Sequence, residues 1–318
     1  MRAITFGAAS AMESIFISSN LFVVMDERFQ EHIPPVDHPD SPQRFAAILK
    51  AFHSSELSNS VRQISSRLAT DEELMRVHNS SYLRELSEAE QLAASTGHSI
   101  QLDSDTWMSA RTYEVSRLAA GAGCLAVENI KAGTARNAFV NARPAGHHAL
   151  RDRAMGFCLL NNIAIAARHA QEELGFKRIL IVDWDVHHGN GTQASFYYDP
   201  NVCFISLHRQ WPFYPPDSGL STEDGGGDGK GFNVNIPLPP GTGDRGYLKA
   251  WDSLVAPIAI EFAPELILLS AGYDAHLQDP LGGQRISSAG YFLLSRRIAE
   301  LAEATRAPLV AFLEEAIT

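Results

Sequence analysis

The 318-residue sequence is poor in cysteine, in basic residues and in long apolar runs. Its three cysteines, Cys124, Cys158 and Cys203, lie far apart with no Cys-x-x-Cys spacing. That excludes a disulfide framework or a structural zinc knuckle and makes a reducing cytoplasm the expected setting. No stretch reaches the roughly 20 apolar residues that a membrane-spanning helix needs. Lys and Arg number 26 against 37 Asp and Glu, a formal charge of −11. Such a surface repels phosphates and argues against direct nucleic-acid binding, while it suits cationic partners such as lysine tails or polyamines. The Gly-x-Ser-x-Gly elbow of serine hydrolases is missing. Gly241 to Gly246 matches Gly-x-Gly-x-x-Gly, but it follows the proline-rich residues 237–240 rather than opening a βα turn, so dinucleotide binding is excluded.

With 45% hydrophobic residues, the chain can bury one large α/β core. Apolar runs at 21–25, 138–140, 178–182, 202–207, 266–270 and 308–313 read as strands. Helical patterns occupy 42–52, 71–77, 82–93, 106–132, 162–174, 193–198, 244–261 and 287–304. Strands separated by helices of this length predict a mostly parallel central sheet covered on both faces, in a single domain over residues 21–318. Residues 1–20, with Ala9-Ser10-Ala11 after a short apolar stretch, are expected to be a disordered extension rather than a cleaved leader.

In open parallel sheets, ligands bind at the carboxyl ends of strands. The run Ile179 to Val182 leads into Asp183-Trp184-Asp185-Val186-His187-His188-Gly189-Asn190. Alternation along an extended chain puts Asp183, Asp185 and His187 on one side. One Asp or Asn suffices to cap the next helix; two carboxylates and an imidazole together point instead to a cation that offsets their mutual repulsion. Asp274 follows the run at 266–270, where an acidic residue serves equally as a turn former or as a third ligand. Asp185, His187 and Asp274 would leave a position open for water, the pattern of a catalytic zinc. After the strand at 138–140, Pro144 and Gly146 lead into His147-His148, candidates for general acid and base. Asp183 and Asn190 are the natural partners to orient the two rings.

Five ordered segments carry a wider resemblance: RPAGHHALRDRAMGFCLLNN from Arg143, VDWDVHHGNGTQ from Val182, ISLHR from Ile205, GKGFNVNIPLPPGTGD from Gly229 and LSAGYDAHLQDPLGG from Leu269. Together with VMDERF and DHPDSPQRFAAI nearer the start, they resemble the histone deacetylase superfamily, most closely its class II-like and bacterial members. The resemblance implies the arginase/deacetylase α/β fold and a zinc amidohydrolase acting on acetylated lysine or small acetylated amines, acetylpolyamines among them. By it, Asp185, His187 and Asp274 hold Zn2+, and His147 and His148 are the tandem catalytic histidines paired with Asp183 and Asn190. Gly156 contacts substrate, while Phe157 and Tyr214 wall the acyl-lysine tunnel. It also implies structural K+, one ion on Asp183, Asp185, His187, Ser206 and Leu207, and a second near Phe196, Asp199, Val202 and Phe232. A departure follows the last strand. Family members continue in a pattern like Leu-Glu-Gly-Gly-Tyr, whereas Leu313-Glu314 is followed by Glu315-Ala316-Ile317-Thr318. The expectation is a domain truncated or frame-shifted there, with turnover impaired by loss of the tyrosine that stabilises the oxyanion.

Overall fold

The computed structural model describes residues 21–314; the expected extension at 1–20 and the departure at 315–318 lie outside the described residues. Strand β1 (Leu21–Met25) is buried at every position, as are β6 (Ile179–Asp183) and β9 (Leu266–Ala271). Continuous apolar runs of this kind suit strands covered on both faces. With β2 (Arg62–Ile64), β5 (Asn137–Asn141), β7 (Val202–Arg209), β8 (Asn233–Leu238) and β10 (Leu309–Leu313) they form an eight-stranded sheet in the order β2-β1-β5-β10-β9-β6-β7-β8. Every pairing in it is parallel. A short antiparallel pair, β3 (Ile100–Gln101) with β4 (Trp107–Met108), stands apart.

The helices Thr112–Lys131 and Asn162–Glu172 bury alanine-rich faces in one core with Phe22, Val140, Ile181 and Phe312. On the opposite face, the helical run beginning at Asp244–Ala250 and the helix Ser288–Thr305 pack with Leu180, Val182, Ile267 and Leu309. One layer of helix on each side leaves the ends of the sheet as the open surfaces.

Several elements differ from the sequence expectation, which names neither β2 nor the β3–β4 pair nor β8. β8 was hidden by Pro237, which a sheet tolerates here because β8 is an edge strand. The helix expected from residue 106 begins at Thr112, because Trp107 and Met108 pair with β3. The helix expected over 244–261 carries a π-turn at Trp251–Val255 and then continues over Ala256–Phe262.

The strand order matters most for chemistry. The chain passes from β5 to β6 and outward to β8, then returns to lay β9 and β10 between β5 and β6. The carboxyl ends of β5, β10, β9 and β6 are therefore neighbours, and that edge is where a parallel sheet places its ligand.

Candidate metal and proton-transfer site

Beyond β6 the backbone is bent by its own carboxylates. Asp183 Oδ1 accepts the Asp185 N–H at 3.0 Å, and Asp185 Oδ1 accepts the His187 N–H at 2.9 Å. From the adjacent β9 end, Asp274 Oδ1 accepts the Val186 N–H at 2.8 Å. These bonds bring Asp185, His187 and Asp274 together, with a ligand atom from each within 4.8 Å of the others. His187 Nδ1 lies 3.1 Å from Asp185 Oδ1 and 2.9 Å from Asp274 Oδ2. Gly272 makes the approach possible, since a Cβ there would sit 2.0 Å from Asp185 Oδ2.

Both carboxylates are fully buried, and the His187 ring is the cationic group that Asp274 Oδ2 faces among the described residues. Burial and the neighbouring Asp185 push the Asp274 carboxyl up to about 7. Two buried carboxylates facing one imidazole are costly unless a cation neutralises them. The donor set of two carboxylate oxygens and one ring nitrogen fits a divalent ion bound by three side chains.

His147 and His148 follow β5 and are both buried, with ring centroids 4.0 Å apart. His147 Nδ1 lies 2.9 Å from Asp183 Oδ2, and His148 Nδ1 lies 2.7 Å from Asn190 Oδ1. The Asn190 amide donates to Met155 Sδ, which fixes its carbonyl toward His148. Each acceptor selects the Nδ1–H tautomer and leaves Nε2 for chemistry. His147 Nε2 has no hydrogen-bond partner among the described residues. The pair is electrostatically unequal. Burial opposes charge on His147, but Asp183, Asp185 and Glu314 outweigh it and hold its pKa well above the usual histidine value. Burial, followed by the facing His147 and His187, holds His148 well below it.

Gly156 takes φ +55°, and a Cβ there would meet His148 Cδ2 at 2.4 Å and Tyr214 Cε1 at 3.1 Å. Glycine thus lets the backbone pass between the two rings. Tyr214 meets His148 edge-on at 5.2 Å. Phe157 is half-buried, with its ring against His38 at 4.7 Å. Sequence reasoning missed Phe213, which stacks on His187 at 5.0 Å and is covered by Arg209 at 4.3 Å; its only signal was adjacency to Tyr214. It also gave no role to Glu314, whose buried carboxylate accepts the backbone N–H groups of Gly146 and His147.

Of the residues matched to cation positions, Asp183 and Ser206 are register partners across β6 and β7, with Leu207 next along β7. Phe196 ends the helix Asn190–Phe196, Asp199 lies in the turn after it and Val202 opens β7, while Phe232 O accepts from Phe204 N. The Asp199 carboxylate is engaged by Arg168 at 2.5 Å, which leaves backbone carbonyls for an ion there. A second triad of possible ligands, Glu73, Cys124 and His169, is buried between the helices Asp71–Met75, Thr112–Lys131 and Asn162–Glu172. Arg67 binds both Glu73 oxygens, and the His169 ring nitrogens meet Arg76 and Glu128. Those guanidinium groups already supply the positive charge a metal would bring.

A family model described as the histone deacetylase domain matches residues 38–314. Histone deacetylase 5 of Arabidopsis thaliana is 39% identical over 293 residues, covering 88% of this chain and 44% of that protein. The histone deacetylase-like amidohydrolase of Pseudomonas aeruginosa is 39% identical over 267 residues, covering 84% and 68%. The crystal structure of the HDA15 HD domain superposes with a TM-score of 0.87 at 36% identity, over 95% of this chain and 85% of that one. The chain spans less than two thirds of the length of several plant relatives that it matches. The family match over most of the chain and the close superposition on that domain agree, and the chain belongs to the histone deacetylase family.

Proposed function

We propose that this protein is a zinc-dependent amidohydrolase that removes acetyl groups from lysine side chains or from small acetylated amines. The observation that carries the reading is the convergence of Asp185, His187 and Asp274 beside a buried, separately partnered histidine pair. Asp185, His187 and Asp274 would hold the metal, which when bound supplies a Lewis acid for the acyl carbonyl and acidifies water. His148, neutral and aimed by Asn190, takes a proton at Nε2 as water attacks. His147, kept charged by Asp183, offers its Nε2 proton and positive field to the developing negative charge. A proton from the pair then goes to the leaving amine. Gly156 and Tyr214 flank this point, and Phe157 and Phe213 complete apolar walls that exclude water from the acyl chain. Potassium at the two cation positions would brace the β6 and β7 ends without entering the chemistry.

Glu315-Ala316-Ile317 stand where the family pattern has Gly-Gly-Tyr. An oxyanion donor is worth roughly 10²- to 10³-fold in turnover, so the alternative reading is a chain that binds acyl-lysine ligands and hydrolyses them slowly. The test measures zinc content with and without chelator, then turnover of acetyl-lysine peptides and acetylpolyamines. Changing the three residues to Gly-Gly-Tyr should raise the rate by about 10²-fold or more. Absence of zinc binding, or binding undiminished in Asp274→Asn, sinks the metal reading. Rapid turnover by the unaltered chain sinks the impaired-rate reading alone. Activity on acetylpolyamines but not on peptides would select the small-amine substrate.

A further inference from the structure

We infer that Glu314 is a positioning residue whose carboxylate fixes the turn that aims the His147–His148 pair. Glu314 follows β10 and is 2% exposed. Its Oε2 accepts the Gly146 N–H at 2.8 Å and the His147 N–H at 3.3 Å, while Oε1 accepts the Ser270 hydroxyl at 2.9 Å. Neither N–H has another acceptor among the described residues. The same residue is itself tied down. Its N–H donates to Ala271 O at 3.2 Å, and its carbonyl accepts from Arg44 Nη2 at 2.9 Å. One side chain between β5 and β9 therefore joins the histidine loop to the strand that leads to Asp274.

The turn is held on its other side by Thr192, whose N–H donates to His147 O at 3.1 Å, and is closed internally by Ala149 N–H on Gly146 O at 3.1 Å. Removing the Glu314 acceptor frees the N–H side alone. His147 then keeps its Asp183 partner but loses the backbone constraint that places its ring over His148. A buried donor without an acceptor is destabilised by much more than a net hydrogen bond is worth, so the turn opens to let water reach the two amides. A carboxylate suits the place because three donors converge on two oxygens. A primary amide can imitate it: the carbonyl takes both N–H groups, and the NH2 donates to Ser270 Oγ, which rotates to accept. The catalytic part of this inference rests on the proposed role of the histidine pair in proton transfer.

The experiment compares Glu314→Ala, Glu314→Gln and Ser270→Ala in the full chain by residue-resolved amide exchange, by the downfield His147 Nδ1–H resonance, by zinc content and by kcat and KM on an acetyl-lysine peptide. In Glu314→Ala, exchange at Gly146 and His147 should accelerate about 10- to 100-fold, with Ala149 and the central strands changed far less. The imidazole resonance should broaden or shift, kcat should fall at unchanged KM, and zinc should be retained. Glu314→Gln should restore exchange, resonance and kcat together, and Ser270→Ala should leave all of them near the parent values. Should Glu314→Ala not fold, Glu314→Asp, whose carboxylate falls one methylene short, is read in the same way. Unaltered protection of the two amides, acceleration spread evenly over the chain, or failure of Gln to rescue overturns the inference. A parent chain with no turnover sinks the hydrolase reading and leaves exchange and the resonance to decide this one.

Discussion

Gly272→Ala probes the candidate metal cluster without touching a proposed ligand. The ideal Cβ would lie 2.0 Å from Asp185 Oδ2, 2.5 Å from its Cγ and 2.6 Å from its Cβ. A relaxed carbon–oxygen contact is about 3.3 Å, so the carboxylate or the β9 end must move by about 1 Å. Gly272 does not adopt a left-handed φ, so the strain is steric and not conformational. Asp185 has little room to yield, because its Oδ1 is held by the His187 N–H. Overpacking of this kind costs about 1–3 kcal/mol. Ligand distances at a metal tolerate only about 0.2 Å, so much of that cost falls on the bound state and corresponds to roughly 10- to 100-fold weaker zinc binding. Competition against a chromophoric chelator measures the affinity, and thermal melts of the metal-free protein measure the steric cost on its own. Parent-like affinity in Gly272→Ala would refute the argument that Asp185 is held against Gly272 as a ligand.

Gly156→Ala combines a left-handed φ with a Cβ 2.4 Å from His148 Cδ2; kcat should fall about 100-fold, as for a misplaced reacting group, with zinc content unchanged. His78 should impose a pH dependence on stability. Its Nδ1 donates to Leu150 O and its Nε2 accepts from Asn161 N–H, and burial holds its pKa near 4 against 6.5 for an open histidine. Between those values the unfolded chain binds the proton and the folded chain does not. Stability should therefore be fully present above pH 6.5 and decline by up to about 3 kcal/mol as pH falls toward 4, a slope that denaturant titrations of His78→Gln should show flattened. The three cysteines are buried and burial pushes Cys203 up to about 12, so Ellman's reagent at pH 8 should find no thiol in the folded chain and all three after denaturation; prompt labelling of Cys203 would contradict its burial.

The cluster around β6 is legible because a short apolar run ending in Asp-x-Asp-x-His sets two carboxylates and an imidazole on one side of a strand end, more than a helix cap requires. Asp274 is harder to place. Nothing in its own segment says that β9 lies beside β6 and that β8 does not, and the ordered family motifs supplied that neighbourhood. β8 itself escaped because its proline argues locally against a strand, and only its place at the edge removes the objection. Glu314 was readable as one letter of a motif, but its role was not. Its bonds run to backbone N–H groups 167 and 168 positions away, and backbone donors leave no trace in residue identity. Phe213 is a similar case, since stacking on His187 depends on the path of a loop and any aromatic would read alike there.

The return of the chain to lay β9 and β10 between β5 and β6 also has a consequence for synthesis. Until residues 266–313 emerge, β5 and β6 have no neighbour on the sides that will face each other. A nascent chain then carries the histidine pair and two of the three candidate ligands on separate, unpaired strand edges. Such edges are open to pairing with other chains, and these long-range parallel contacts form slowly. Of the strands described, the two latest in sequence are the innermost, so the candidate ligand cluster is assembled in the same step that closes the sheet.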